Sequence, residues 1–262
     1  MPLFISSLNS GSNGNCYYIG NRKEAVLIDA GISCRETEKR MNRLGVPISS
    51  VKAIFVSHEH GDHITGIPAL SKKHRIPVYI TPGTFNNSHI PIEPELVKPF
   101  TAGETVQIGH LSVTPFRKVH DACDPHSFIV SDQNVKVGIF TDLGICCDQL
   151  KKYFRQCHAA FLESNYCPEM LEKGNYPFHL KKRISGGKGH LSNKQALDLF
   201  VQHRGKQLSH LILSHLSKNN NHPELVAQLF NAVRKQTRIT VASRYHEMPL
   251  LTISPTAQLA MF

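Results

Sequence analysis

A short apolar run, Ala53-Ile54-Phe55-Val56, empties directly into Ser57-His58-Glu59-His60-Gly61-Asp62-His63, and this junction restricts what the chain can become. Four consecutive β-branched, aromatic or small apolar residues read as a buried strand. Three imidazoles and an aspartate at its end have no use in an ordinary core, because each buried polar group would need its own partner. The junction therefore predicts a metal site at the edge of a sheet. His58 and His60 are two apart, so in extended chain both rings point to the same side. Gly61 permits a tight turn, and Asp62 and His63 then face back from the mouth of the next helix. One short loop can so supply two ligands to each of two neighbouring cations.

Completing both sites needs a bridging carboxylate and more histidines, and other strand ends offer them. Val119 leads to His120, Phe140 to Thr141-Asp142, Leu162 to Glu163, and Leu213 to Ser214-His215. Mixed imidazole and carboxylate ligation suits Zn²⁺, Mn²⁺ or Fe²⁺. His126 competes with His120 for one position in the same loop, and His120 is preferred; Asp121 and Asp124 read as turn residues or supporting partners. His74, His89, His110, His158, His179, His203, His210 and His222 read as structural.

Strand-like runs recur at 17–19, 25–28, 53–56, 78–80, 111–114, 127–130, 136–140, 159–162, 210–213 and 238–241. Helix-period segments lie at 35–44, 67–74, 147–154, 193–204 and 223–235. Ser192-Asn193 fits the start of the fourth segment and Pro223 the first turn of the fifth. Early strands follow one another mostly without helices and later ones mostly with them. This predicts an α/β fold, two mixed β-sheets face to face with helices outside. No long polar linker divides the 262 residues, so a single domain over 1–262 is expected. The longest apolar runs are far too short for a membrane span, and the N-terminus lacks the pattern of a signal peptide. Seven cysteines, an odd number without a spacing pattern, fit a reducing cytoplasm. The formal charge of +10, with basic residues at Lys151-Lys152, Arg155, Lys173, Lys181-Lys182-Arg183, Lys188 and Arg234-Lys235, favours a polyanionic partner.

The chain resembles the metallo-β-lactamase superfamily, whose His-x-His-x-Asp-His signature is matched by His58, His60, Asp62 and His63, and whose fold is the αββα sandwich. By that resemblance His58, His60 and His120 hold one divalent ion, Asp62, His63 and His215 the other, and Asp142 bridges. Leu27-Ile28-Asp29-Ala30-Gly31 is similar to the early motif whose aspartate supports the metal loop, so Asp29 is a supporting residue and not a ligand. The machinery is hydrolytic, but the fold hosts many substrates. Glu163-Ser164-Asn165, then Gly189-His190-Leu191-Ser192, then Ser214-His215 follow an order similar to ribonuclease Z, which implies that Glu163 orients His190 and His190 protonates the departing oxygen. Ser10-Gly11-Ser12-Asn13-Gly14-Asn15 could form an anion-binding nest. This loop, with the Glu-Ser-Asn, Gly-His-Leu-Ser-Asn and Ser-His-Leu-Ser segments, resembles the bacterial YycJ/WalJ group of single-domain 5′-to-3′ DNA exonucleases. That resemblance implies phosphate contacts from Ser12, Asn13 and Asn15, with Asn219 and Asn220 as further candidates.

The expected function is a two-metal phosphodiesterase acting on DNA in preference to RNA, a 5′-to-3′ exonuclease of DNA repair or metabolism. The alternatives are hydrolysis of a small phosphodiester or thioester, and RNA processing. There is no room for the large inserted domain of the β-CASP nucleases. Lys181 to Lys188 is basic and glycine-containing, yet short for a tRNA-gripping arm. His126 is expected to narrow or alter one wall of the site.

Overall fold

Buried residues succeed one another along most strands, which means that both faces of each sheet are covered. The structure, a computed structural model, describes residues 2–255. Among the described residues the strands form two sheets of seven. The first contains β1 (Leu3–Asn9), β2 (Cys16–Gly20), β3 (Ala25–Ile28), β4 (Val51–Phe55), β5 (Val78–Tyr79) and β6 (Val97–Lys98) in sequence order, with the late β14 (Leu251–Ile253) beside β1. The second runs in order through β7 (Val106–Ile108), β8 (Leu111–Arg117), β9 (His126–Asp132), β10 (Val135–Phe140), β11 (Ala159–Glu163), β12 (His210–Ser214) and β13 (Arg238–Val241). Both sheets are mixed. β3 to β6 are parallel, as are β10 to β13, and the remaining pairs are antiparallel.

Alternation along each strand splits the apolar residues between two layers. Val26, Ile28 and Phe55 face Val130, Ile139 and Phe161 in the layer between the sheets. Tyr17 meets Phe161 at 5.0 Å between ring centroids, and Phe55 meets Phe128 edge-on at 5.8 Å. The opposite faces carry helices. Met41 of Cys34–Arg43 and Leu70 of Ile67–His74 pack on Leu27 and Ile54. Phe154, Phe200 and Phe230, from Asp148–Phe154, Asn193–His203 and Pro223–Asn231, pack on Leu162, Leu211 and Leu213. This is the αββα sandwich expected from the residue pattern. No described helix is long and apolar enough to cross a membrane.

The expected helices are present with ends within a few residues. Ser192 opens Asn193–His203 with a capping box, its hydroxyl accepting from Gln195 N and Gln195 Oε1 accepting from Ser192 N. Some elements were not legible. β1 carries Ser6 and Ser7 at fully buried positions, and Ser6 Oγ is satisfied by donating to Met248 O. The helix Phe178–Ser185 fully buries none of its own residues and offers only Leu180 and Ile184, one turn apart and half-buried, too short a stripe to mark it.

The inter-sheet layer depends on large rings meeting across it. Phe161→Ala is expected to destabilise the protein by about 3–5 kcal/mol, read as a lowered urea midpoint at unchanged m.

Candidate metal centre

Parallel strands point their C-terminal ends to one edge of a sheet, and that edge is where the polar residues gather. β3 runs into Asp29, β4 into the loop Ser57 to His63, β10 into Asp142, β11 ends on Glu163, and β12 runs into His215. Asp29, Asp142 and His215 each take left-handed backbone, at φ 60°, 56° and 56°. A non-glycine residue in that region costs of order 1–3 kcal/mol, and such residues cluster where function needs a side chain turned off the strand direction.

Asp29 fixes the loop. Its carboxylate accepts from Ser57 N (2.7 Å), Ser57 Oγ (2.8 Å) and His63 Nδ1 (2.7 Å). The hydroxyl proton of Ser57 is thereby committed, so its oxygen accepts from His58 Nδ1 at 2.9 Å. These bonds put a ring proton of His58 and of His63 on Nδ1 and aim both Nε2 atoms at a common space. His120 reaches the same state by donating from Nδ1 to Gly189 O at 2.9 Å. His215 donates from Nδ1 to Glu163 Oε1 at 3.1 Å.

The free atoms then converge. His58 Nε2 lies 3.1 Å from His60 Nδ1, His63 Nε2 lies 3.2 Å from Asp142 Oδ2, and His215 Nε2 lies 3.5 Å from Asp62 Oδ2. His120 Nε2, His215 Nε2 and Asp142 Oδ2 are buried with no hydrogen-bond partner among the described residues. Lone pairs brought together in this way repel unless a positive charge sits between them, and each unpaired buried group costs about 1–3 kcal/mol. The donor sets fit divalent cations. His58, His60 and His120 form one group, Asp62, His63 and His215 a second, and Asp142 joins His58 and His63 on one side and His190 and His215 on the other, with ligand atoms in each group within 4.8 Å of one another.

Burial first, and then the charges of His63 and Lys118, push His58 well below the ordinary imidazole range. Burial pushes His120 down to about 4. Both are therefore neutral and free to ligate. Burial opposes the charge on Asp142, but His215, His63 and Lys118 outweigh it and hold the carboxyl well below its usual range. Burial likewise opposes a charge on His215, yet Asp142, Asp62 and Glu163 raise it to about 10 in the protein alone. Protons and divalent cations thus compete for the same atom.

Glu163 is fully buried and tied at both oxygens. Oε2 accepts from Leu143 N (2.7 Å) and Leu191 N (3.1 Å), and Oε1 accepts from His190 Nδ1 (2.7 Å) and His215 Nδ1 (3.1 Å). Burial disfavours its charge, but His190 and His215 hold it ionised, down to about 2. One carboxylate therefore orients both His190 and His215.

Other expectations need correction. Asn15 does not face a phosphate: it is fully buried, its Oδ1 accepts from Gly11 N and Tyr17 OH, and its Nδ2 donates to Asp62 Oδ2 at 3.1 Å. It positions Asp62. Asn220 is buried, and its amide points to Ser217 Oγ. Asn219 is exposed but bonds Tyr176 OH and does not line the metal pocket. The reading of His126 as a wall of the site also fails. It starts β9, is buried, donates from Nδ1 to Asp124 O at 2.8 Å and meets Phe100 edge-on. Ser12 does line the pocket, and Asn13 is exposed beside it with Nδ2 donating to Arg244 O.

Several participants were missed. Lys118 is buried below Asp142 with Nζ donating to Thr141 O at 2.8 Å, and its burial gave no sequence signal because a lysine at a strand end normally reads as solvated. Asn193 and Asn221 pair side chain to side chain, Asn193 accepts from Ser164 Oγ, and Asn221 donates to Ser164 O and Asn165 O. This amide network locks together the three late segments that carry Glu163, His190 and His215. Leu180, Arg183 and Ile184 of Phe178–Ser185 overhang the pocket, and Arg183 Nε donates to Asp121 Oδ2 at 2.6 Å. Gly31 has a more rigid role, since a Cβ there would stand 1.7 Å from Asp62 O.

A model of the family described as the beta-lactamase superfamily domain matches residues 24–215. The Bacillus anthracis protein named exodeoxyribonuclease YycJ is 33% identical over 250 residues, 94% of each chain. The Streptococcus pneumoniae protein named exodeoxyribonuclease WalJ is 29% identical over 225 residues, 84% of each. Among solved structures, the metallo-beta-lactamase fold protein YhfI of Bacillus subtilis superposes with a TM-score of 0.74 over 95% of this chain and 99% of its own at 14% identity, a likeness of fold.

Asp29→Asn would remove the negative charge from all three donors and, with its NH₂ in place of Oδ2, leave Ser57 Oγ and His63 Nδ1 without an acceptor and free the His63 ring. It is expected to weaken binding of divalent metal about 10–100-fold, measured by competition with a chromophoric chelator.

Proposed function

The chain belongs to the metallo-β-lactamase superfamily, and we propose that within it the protein is a two-metal phosphodiesterase that shortens DNA from the 5′ end toward the 3′ end. The observation that carries this reading is the Glu163–His190 pair at 2.7 Å beside the cluster of ligand atoms. His58, His60 and His120 would hold one divalent ion, Asp62, His63 and His215 the other, with Asp142 between them; Zn²⁺ and Mn²⁺ suit this mixed donor set, and Fe²⁺ is compatible with it. Two such ions supply an activated water and neutralise the charge that builds on phosphorus oxygens.

The protein's own residues do the rest. Glu163 Oε1 accepts from His190 Nδ1 and fixes the ring, and its negative charge supports the doubly protonated form, in which the proton to be passed sits on Nε2, on a ring that lines the pocket. A sugar oxygen leaving phosphorus carries a poor leaving-group charge, and a positioned acid removes it. Hydrolysis breaks one P–O bond, joins the water oxygen to phosphorus with release of one water proton to solvent, and moves the proton from His190 to the departing oxygen; His190 is then reprotonated from solvent. Ser12 and Asn13, exposed at the pocket rim, contact the phosphate. Asn15 acts at one remove, through Asp62.

The choice of DNA rests on the exodeoxyribonuclease names of the two relatives and on the basic balance of the chain. Counterion release predicts binding that weakens steeply with salt. With Mn²⁺ or Zn²⁺, linear DNA labelled at the 5′ end is expected to lose its label as a short product at once, while 3′-labelled DNA shortens gradually and circular DNA survives. Asp62→Ala should abolish both reactions. Cutting of circles, or early release of the 3′ label, would refute the exonuclease polarity.

A further inference from the structure

The metal pocket holds only about 180 Å³. That lies below the range of roughly 300–1,000 Å³ typical of small-molecule sites, and the cations and an attacking water must share it. A nucleotide flanking the scissile phosphate therefore has to lie outside it. A second cavity of about 380 Å³ is lined by residues that are chain neighbours and hydrogen-bond partners of residues lining the first. Ser12 and His215 line the metal pocket, while Ser10 and Leu216 line the neighbour. Ser10 Oγ accepts from His215 N at 2.8 Å, and Arg244, in the wall of the second cavity, reaches Ser12 Oγ with Nη2 at 3.2 Å.

The lining of this second cavity is cationic on one part and apolar on another. No acidic side chain lines it among the described residues, whereas Lys218 and Arg244 do. Arg244 Nη1 is shielded from solvent and has no hydrogen-bond partner among the described residues. A turn of the Arg244 side chain would carry this unpaired amino group into the cavity, where a guanidinium can take an oxyanion such as phosphate. Ser217 and Ser243 add hydroxyls, and Leu216 and Val241 give an apolar wall. Tyr245 stands at the edge with 60% of its surface exposed, more than packing explains for a large ring. Such a ring offers a face on which any base can stack.

We propose that this cavity holds the 5′-terminal nucleotide of the DNA strand, its 5′-phosphate on Arg244 and Lys218 and its base against Tyr245, so that the next phosphodiester lies over the metal ligands. The proposal rests on the exonuclease reading and adds to it a cationic site for the phosphate-bearing end of a strand.

The chain contains no tryptophan, so Tyr245→Trp installs a single fluorescent reporter at the cavity edge. Titration of the metal-loaded variant with thymidine 5′-monophosphate should quench it saturably, and adding Arg244→Gln should raise the Kd by about tenfold or more. In parallel, the wild type should favour 5′-phosphorylated over 5′-hydroxyl DNA, and Arg244→Gln or Lys218→Gln should bring that ratio toward unity. Because the ratio is internal to each variant, a general loss of folding or catalysis cancels. Absence of quenching, or an end preference unchanged in Arg244→Gln, would overturn the proposal. Should the wild type degrade no DNA while the nucleotide still quenches and Arg244→Gln still weakens it, the cavity stands as a nucleotide site and the exonuclease reading fails.

Discussion

His120 Nε2, His215 Nε2 and Asp142 Oδ2 are buried at one sheet edge without a hydrogen donor, and each is held there by a bond made at the other end of its side chain or by strained backbone. Much of the surrounding architecture follows from the need to keep such atoms aimed at a common space. Asp29 holds Ser57, His58 and His63; Glu163 holds His190 and His215; Asn15 holds Asp62. Buried polar atoms tolerate little displacement, which is why each support is itself buried and multiply bonded. The sandwich supplies the frame, since the parallel strands of both sheets deliver these supports to the same edge.

The sandwich was legible because short continuous apolar runs, such as Ala25–Ile28 and 159–162, mark strands covered on both faces, and the candidate ligands stood out because imidazoles at a strand end have few other uses. What escaped reading had no local pattern. Lys118 is buried by groups far along the chain, Asn221 works through a partner 28 residues away, and Phe178–Ser185 packs none of its own surface in the core. Asn15 shows the opposite error. A Ser- and Gly-rich loop reads as a solvent-facing nest, but Tyr17 and Gly11 close over its amide and turn it onto Asp62. His126 misled in the same way, because adjacency in a loop does not say which side chain the turn faces inward.

Metal ligands alone leave the substrate open, since an activated water serves many esters and amides. Two features near the ligands are more selective. The Glu163–His190 pair suits a leaving oxygen that needs a proton, and a neighbouring cavity with two cationic side chains suits a phosphate-bearing end.

The role of His190 as the acid is the central claim, and dependence on the leaving group tests it most directly. Rates of wild type and His190→Ala should be compared on DNA and on thymidine 5′-(p-nitrophenyl phosphate), whose p-nitrophenolate departs without a proton. Removal of the acid is expected to slow DNA hydrolysis by about 10²–10⁴-fold and to leave release of p-nitrophenolate within a few-fold of wild type. Equal losses on both substrates would contradict the account and return His190 to a supporting role.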